Sequence, residues 1–291
     1  MLASEYGNAD LVGLFCEKGA GVNKKTVYNL TALMMALDKS HTRVVKLLCD
    51  NDADVNVKAS DGSTALMLAS QRGDTEIVGM LIDKGAKVNT KSKDGTTALL
   101  RASQYGHSDV VQLLCEKGAD VNSRSKANGA TVLMWASERG NTDVARLLIE
   151  KGAKVNLRTN DGTSALWMAA QEGHTDVVDM LIVNDADVDV RRSSDNVSAL
   201  WMAAQNGHAQ GVKLLIESGA ELDVASDKGL TALMLASQNG HTEIVKLLCE
   251  WGSDVNIRAT VNDIGYSALK VAKDMGRKDI VGILESTGAE G

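Results

Sequence analysis

Nine side chains have the chemistry to hold a metal or to act as a nucleophile or base near neutral pH. They are Cys16, Cys49, Cys115 and Cys249, and His41, His107, His174, His208 and His241. Thiolates and imidazoles brought together would make a zinc site or a Cys–His pair. Their register prevents it. A Thr-Ala-Leu-Met element at Thr31 to Met34 returns, lightly edited, at Thr64, Thr97, Thr131, Ser164, Ser198, Thr231 and Ser267, at steps of 33, 33, 34, 33, 34, 33 and 36 residues. Counted from that Thr or Ser as position zero, every cysteine falls at position 18 and every histidine at position 10. Equivalent residues of stacked helices lie roughly 8 to 10 Å apart, beyond the ~7 Å Cα limit of a disulfide. The cysteines therefore read as small apolar scaffold residues, reduced as in the cytosol. The histidines read as residues that cap or orient a helix.

The carboxylates are equally regular. Glu76, Asp109, Asp143, Asp176, Glu243 and Asp279 all occupy position 12, in the first turn of a helix, where negative charge complements the macrodipole. No phosphate-cradling G-x-x-x-x-G-K-[ST], no G-x-S-x-G and no zinc-spaced cysteine pair is present. The chain is read as not an enzyme, with no catalytic, cofactor-binding or metal residues and no cofactor.

A fixed period of this length means a stacked solenoid, in which each unit contacts its neighbours and the product is a surface, not an enclosed pocket. One array over residues 1–291 is expected, with a partial unit at 1–23, seven units at 24–257 and a polar capping unit at 258–291. No apolar run approaches the roughly 18 residues of a membrane span. A net charge of -7 argues against nucleic acid and anionic membranes as partners. The first residues, Met1 to Leu11, carry Glu5 and Asp10 and show no secretory signal, so a cytoplasmic monomer is expected.

Asp61 to Asn89 serves as the model repeat. Thr64 is a good N-cap, Leu66, Leu68 and Ala69 recur at helical spacing, and Gly73 ends a first short helix. A second helix carries Ile77, Val78, Met80 and Leu81 on one face and stops at Gly85. Ala86 to Asn89 then leads into the next turn at Asp94 and Gly95. That turn needs a positive φ, which Asn29 and Asn196 supply where Gly is absent.

Helix, loop, helix, Gly-Ala-Asp-Val-Asn and Asp-Gly turn in this order resemble the ankyrin repeat, whose usual form is D-x-x-G-x-T-P-L-H-x-A-A, G-H-x-x-V-V-x-L-L, G-A-D-V-N. Independent segments agree: GHTDVV at Gly173, GHTEIV at Gly240, KGADVN at Lys117 and KGAKVN at Lys84 and Lys151. The resemblance implies an all-α ankyrin-repeat solenoid of stacked helix-loop-helix units with hairpin-like turns, nine units long. Two departures recur. The family's proline is replaced by Ala32, Ala65, Ala98, Val132, Ala165, Ala199, Ala232 and Ala268, and no proline occurs anywhere. Its histidine is replaced by Met34, Met67, Leu100, Met134, Trp167, Trp201, Met234 and Lys270, so hydrogen bonding between repeats at that position is expected to give way to apolar contact. Such uniform changes point to repeats copied from one ancestor or engineered as a set.

The resemblance also implies that a partner binds the concave face, made of turn tips and the exposed side of the first helices. All four tyrosines map there: Tyr28 at position -3, Tyr266 at -1, Tyr6 and Tyr105 at 8. Arg72, Arg139, Glu172, Asn206 and Asn239 share the face and change from unit to unit. Tyrosine is enriched at binding hot spots, which favours a protein or extended peptide; chance placement of surface tyrosines is the competing reading. A basic ladder, Lys25, Lys58, Lys91, Arg124, Arg158, Arg191 and Arg258, would draw an acidic peptide along the turn edge, unless Asp54, Asp120, Asp187 and Asp254 neutralise it locally. The family's asparaginyl hydroxylation would fall on Asn23, Asn56, Asn89, Asn122, Asn156 and Asn256, residues that otherwise stabilise turns. Trp135 is assigned to the core, Trp167 and Trp201 to packing between repeats or to the rim, and Trp251 to an exposed outlier or a local contact.

The first unit begins with apolar Leu2, Leu11, Leu14 and Phe15, so a fragment of a longer array, or a fraying first unit, is expected. Asn262 to Ile264 lengthen the last turn and are a candidate contact loop. The reading is a non-enzymatic scaffold that binds a peptide or protein segment on its concave face; the alternative is a designed or purely architectural repeat protein without a natural partner.

Overall fold

The computed structural model describes residues 1–261 and 264–290. Asn262 and Asp263, in the candidate contact loop, lie outside them. The chain divides into two compact units, Met1–Ala136 with Asp143–Lys154, and Ser137–Thr142 with Val155–Gly291.

Each repeat is built as its caps dictate. The Thr64 hydroxyl accepts the Met67 N–H and starts the helix Ala65–Arg72, and Gly73 ends it with φ +77 in the left-handed region. Asp74 caps the second helix, Thr75–Asp83, by accepting the Ile77 N–H. Ile77, Val78 and Leu81 are buried, whereas Met80 is half-buried at the edge of the face the sequence assigned it to. Turn residues Asn29 (φ 58) and Asn196 (φ 61) adopt the positive φ that Gly95 (φ 87) adopts in its repeat. The single antiparallel pair of strands among the described residues, Ala259–Val261 with Ile264–Tyr266, is a longer version of the same turn.

Within each unit, first helices pack on first helices and second on second. Ala65–Arg72 lies against Ala98–Gln104, and Ala165–Glu172 against Ala199–Asn206, which packs in turn on Ala232–Asn239. The interface is apolar and close: Leu66, Leu99, Leu166 and Leu200 are all at most 2% exposed. Helices of seven to nine residues are too short to persist alone, so this packing is what keeps them folded.

Three sets of polar bonds fix the register between repeats. The Val-Asn asparagine clamps the next repeat: Asn89 Nδ2 donates to the Gly118 carbonyl at 2.8 Å and its Oδ1 accepts the Asp120 N–H at 2.8 Å. Asn56 does the same to Gly85 and Lys87, and Asn156 to Asp185 and Asp187. In five turns position -3 accepts a backbone N–H from the next turn, as in Lys93 to Asp61 at 2.9 Å and Ser193 to Asp161 at 2.7 Å. The third set belongs to the histidines. They stand at N-cap positions yet make no capping bond; His107 Nε2 instead meets the Gln71 carbonyl at 2.9 Å and His241 Nε2 the Gln205 carbonyl at 3.1 Å. Orientation, not capping, is their role. Each ring also covers the glycine that ends the preceding repeat's first helix, and a Cβ on Gly73 would come within 2.5 Å of His107.

The replaced family histidine has three outcomes. Lys270 is exposed and pairs with Asp274 instead of making the expected apolar contact. Met34, Met67, Met134 and Met234 are buried and supply apolar packing, as the sequence implies. At Trp167 and Trp201 the bond between repeats returns in another form, because the indole Nε1 donates to the Val197 carbonyl at 3.1 Å and the Leu230 carbonyl at 2.8 Å. The expectation of lost hydrogen bonding is corrected there. Trp135 is half-buried, with its indole nitrogen enclosed and unpartnered, and is not a full core residue. Trp251 is exposed, as expected.

Two predictions follow from imperfect copies of the repeat. Asp189 accepts the Glu221 N–H at 2.9 Å but, as an aspartate, has no donor for the carbonyl that asparagine reaches elsewhere. Asp189→Asn should add that bond and raise unfolding free energy by about 0.5–1.5 kcal/mol in a urea titration; a loss would overturn the clamp. Ser70 and Ser237 are fully buried with unpartnered hydroxyls, at a position where sister repeats place Ala170 and Ala204. Ser70→Ala should therefore stabilise, by up to about 1 kcal/mol, in the same titration, whereas a cost above that size would show a hidden partner.

Candidate partner-binding face

The turn tips are made rigid by short-range chemistry. Asp94 Oδ1 accepts the Thr96 N–H at 3.1 Å and its Oδ2 the Thr96 hydroxyl at 3.0 Å, while the buried Ser92 hydroxyl donates to the same carboxylate. Asp161 is held likewise by Thr159 and Thr163. Hydrogen bonds from Ser92 hold the Asp94 carboxyl below the ordinary carboxylate range, and those from Thr159 do so for Asp161. At Asp195 the Arg192 guanidinium is responsible. That guanidinium also lies 4.6 Å above the Trp167 ring, so one turn is locked by an ion pair, a cation–π contact and an indole bond together.

On this rim three tyrosines are exposed. Tyr28 is 67% exposed and Tyr6 78%, and Tyr105, 51% exposed, lies parallel to the His107 ring at 6.4 Å. Tyr266 differs: it is half-buried in its strand. Beside Tyr28 runs an open groove of about 290 Å³, with Leu30, Met34 and Leu68 as its apolar wall and Asp61 at its edge. That is at the lower limit of the roughly 300–1,000 Å³ of small-molecule sites, and its openness suits side chains of a polypeptide. Sequence position placed Tyr28 on the face but did not reveal the groove, which needs the backbone of two repeats to exist.

The other face residues divide by how much freedom they keep. Arg139 and Glu172 are exposed, although Glu172 accepts from Gln171 at 2.7 Å. Arg72 donates to Ser40 Oγ at 2.6 Å and pairs with Asp38 at 3.6 Å. Asn206 and Asn239 each donate Nδ2, at 2.8 Å, to the carbonyls of Gln171 and Gln205 in the preceding repeat. These two serve the scaffold through the same carbonyls that His208 and His241 use.

The basic ladder is not uniform. Lys25, Lys58 and Lys91 are exposed, as are Arg158 and Arg258, while Arg124 and Arg191 are half-buried. Arg158 pairs with Asp187 at 3.1 Å and Arg191 with Glu221 at 2.5 Å, each acid belonging to the next repeat. Neutralisation thus runs between repeats. Asp54 and Asp120 accept the N–H of Asn56 and Asn122 two residues on, as Asp187 does from Asp189. The four thiols are free, and burial pushes those of Cys49, Cys115 and Cys249 up from their usual value, away from the reactive thiolate. Among the described residues no His, Cys, Asp or Glu cluster is arranged to hold a metal, and no helix is long and apolar enough to cross a membrane.

The turn carboxylates give a pH signature. Their lowered folded pKa means that the stabilisation is present above the unfolded Asp value of about 3.9 and is lost as pH falls through the folded value. Between pH 7 and pH ~3, Asp94→Asn should lose less unfolding free energy than the parent chain; an equal acid slope would mean that Asp94 contributes nothing.

Models of ankyrin repeats (three copies) match residues 1–59, 51–125, 122–192, 183–259 and 200–290. No curated protein matches the chain significantly. Ankyrin repeats are in general protein–protein interaction modules and typically not enzymes. With capped helix pairs stacking at the same register in both units and the family pattern matched from end to end, this chain belongs to the ankyrin repeat family.

Proposed function

We propose that this chain is a non-enzymatic scaffold that binds an extended peptide or protein segment across its turn tips and first helices. The observation that carries the reading is the groove at Tyr28: an exposed aromatic ring beside an apolar trough open along the rim. A tyrosine there contributes contact area at small entropy cost, which is how interface hot spots work. The exposed Lys25, Lys58 and Lys91 would add attraction for an acidic segment, whereas Arg158 and Arg191 further along are matched with Asp187 and Glu221. The array acts as one cytoplasmic monomer in this reading, in keeping with its free thiols.

A second reading, an engineered or architectural repeat protein without a natural partner, is favoured by the uniform absence of proline. Affinity capture with the full chain, followed by titration of the partner it retains, separates the two. Tyr28→Ala with Tyr105→Ala should weaken binding by about 2 kcal/mol, roughly 30-fold, while Arg43→Ala, an exposed residue of the second helix Thr42–Asp50 and not of the turn tips or first helices, leaves it unchanged. No partner at all, or an affinity indifferent to both tyrosines, would sink the proposal. Affinity that does not fall with added salt would remove the acidic segment.

A further inference from the structure

The chain contains three Asn-Gly pairs: Asn128–Gly129, Asn206–Gly207 and Asn239–Gly240. Asn-Gly is chemically labile because glycine, lacking a Cβ, lets its backbone nitrogen reach the side-chain carbonyl carbon of the preceding asparagine. In the reaction the Gly nitrogen loses its proton to water and bonds to Asn Cγ, the Cγ–Nδ2 bond breaks, and ammonia leaves. Water then opens the cyclic imide at either carbonyl, giving aspartate or its β-linked isomer. One water is consumed, one ammonia is released, and nothing is oxidised or reduced.

The fold treats the three sites differently. Asn206 and Asn239 are the last residues of the helices Ala199–Asn206 and Ala232–Asn239, and their amide nitrogens, the leaving groups, are tied to the preceding repeat at 2.8 Å. Gly207 and Gly240 donate in turn to the carbonyls of Ala203 and Ala236. Imide formation there has to unwind a helix end and break a bond between repeats. Asn128 lies outside any helix, exposed at a turn tip. Only local turn bonds have to open, from Gly129 N–H to the Ser125 carbonyl at 3.1 Å and from Ala130 N–H to Asn128 Oδ1 at 3.1 Å.

The product also fits one site and not the others. Asn128 Oδ1 accepts the Ala130 N–H at 3.1 Å, which is the contact that Asp61, Asp94 and Asp161 make with Ser63, Thr96 and Thr163 in sister turns. An aspartate at 128 would occupy a slot that other repeats already fill with aspartate. At 206 or 239 it would lose the donor and place negative charge at a helix C-terminus, where the macrodipole opposes it. We propose that Asn128 is a site of spontaneous deamidation in the folded protein, protected neither by helix nor by neighbour, and that its turn accepts the aspartate without loss of structure. The change would add a negative charge to the turn rim as the molecule ages.

The test is peptide mapping by mass spectrometry of the full chain aged at mildly alkaline pH, folded and in urea. Trypsin releases Ala127 to Arg139, which isolates Asn128 from the other two sites. In the folded chain, Asn128 should convert at least ~10-fold faster than Asn206 or Asn239, a barrier difference of about 1.4 kcal/mol, and in urea the three rates should converge. Equal rates in the folded chain, an inert Asn128, or the same ranking in urea would overturn it. Asn128→Asp should melt within about 2 °C of the parent, whereas Asn206→Asp should melt lower; a larger drop for Asn128→Asp would overturn acceptance of the product.

Discussion

Everything in this protein depends on contact between one repeat and the next. No repeat can bury its own apolar face, because its helices run at most nine residues and present Leu66, Ile77 or Leu81 outward from the pair. Apolar contact supplies the stabilisation, but it is tolerant of sliding. Direction comes from polar atoms: the asparagine that grips two backbone groups of its neighbour, the turn carbonyl that accepts an N–H from the next turn, and the histidine that seats over a glycine and bonds a carbonyl beyond it. A slip of one residue would break all of them at once.

This arrangement sorts the surface. A polar side chain whose atoms are spent on the neighbouring repeat has little left for a partner, and that is the state of Asn206, Asn239 and Arg72. Variation at a position is therefore a weak guide to recognition. Tyr28 and Tyr105 are different in kind: their rings lie outside the bonds that set register, and their exposure does not weaken the stack. The groove beside Tyr28 exists because successive turns are held at a fixed offset, by bonds such as Ser60 N–H to the Tyr28 carbonyl at 2.9 Å. A flexible rim would fill such a trough with its own side chains.

The repeat ruler made much of the fold legible. Thr64 as cap, Gly73 and Gly85 as stops, and Asn29 as the left-handed turn residue are local properties, fixed within a few residues of chain. What the ruler missed spans 29 to 37 residues. It placed His107 at a helix start but not against Gln71, it put Trp167 and Trp201 at position 3 but not their nitrogens on Val197 and Leu230, and it paired the arginines with acids of their own segment when Asp187 and Glu221 come from the next. A coordinate within a repeat says which residues share a place. It does not say which atoms meet across the interface, since that depends on side-chain length and on the offset of the stack. The binding face was legible as a set of positions for the same reason, and its groove was not.

Position 3 shows how two chemistries solve one interface. Methionine at 34, 67, 134 and 234 fills the space with a flexible apolar chain and brings no polar group that needs a partner. Tryptophan at 167 fills more of it and brings an N–H, which must be satisfied once buried; the Val197 carbonyl of the next turn is what satisfies it. The larger ring then offers a flat surface for Arg192, and Arg192 in turn fixes Asp195. One substitution therefore recruits a turn. At Met34 no such chain of contacts reaches the next turn, Ala59 to Ser63, and an open trough lies between that turn and the exposed Tyr28 of Met34's own turn. Opposite answers at position 3 thus shape the rim: where tryptophan ties the next turn to itself the space is filled, and where methionine does not a trough stays open.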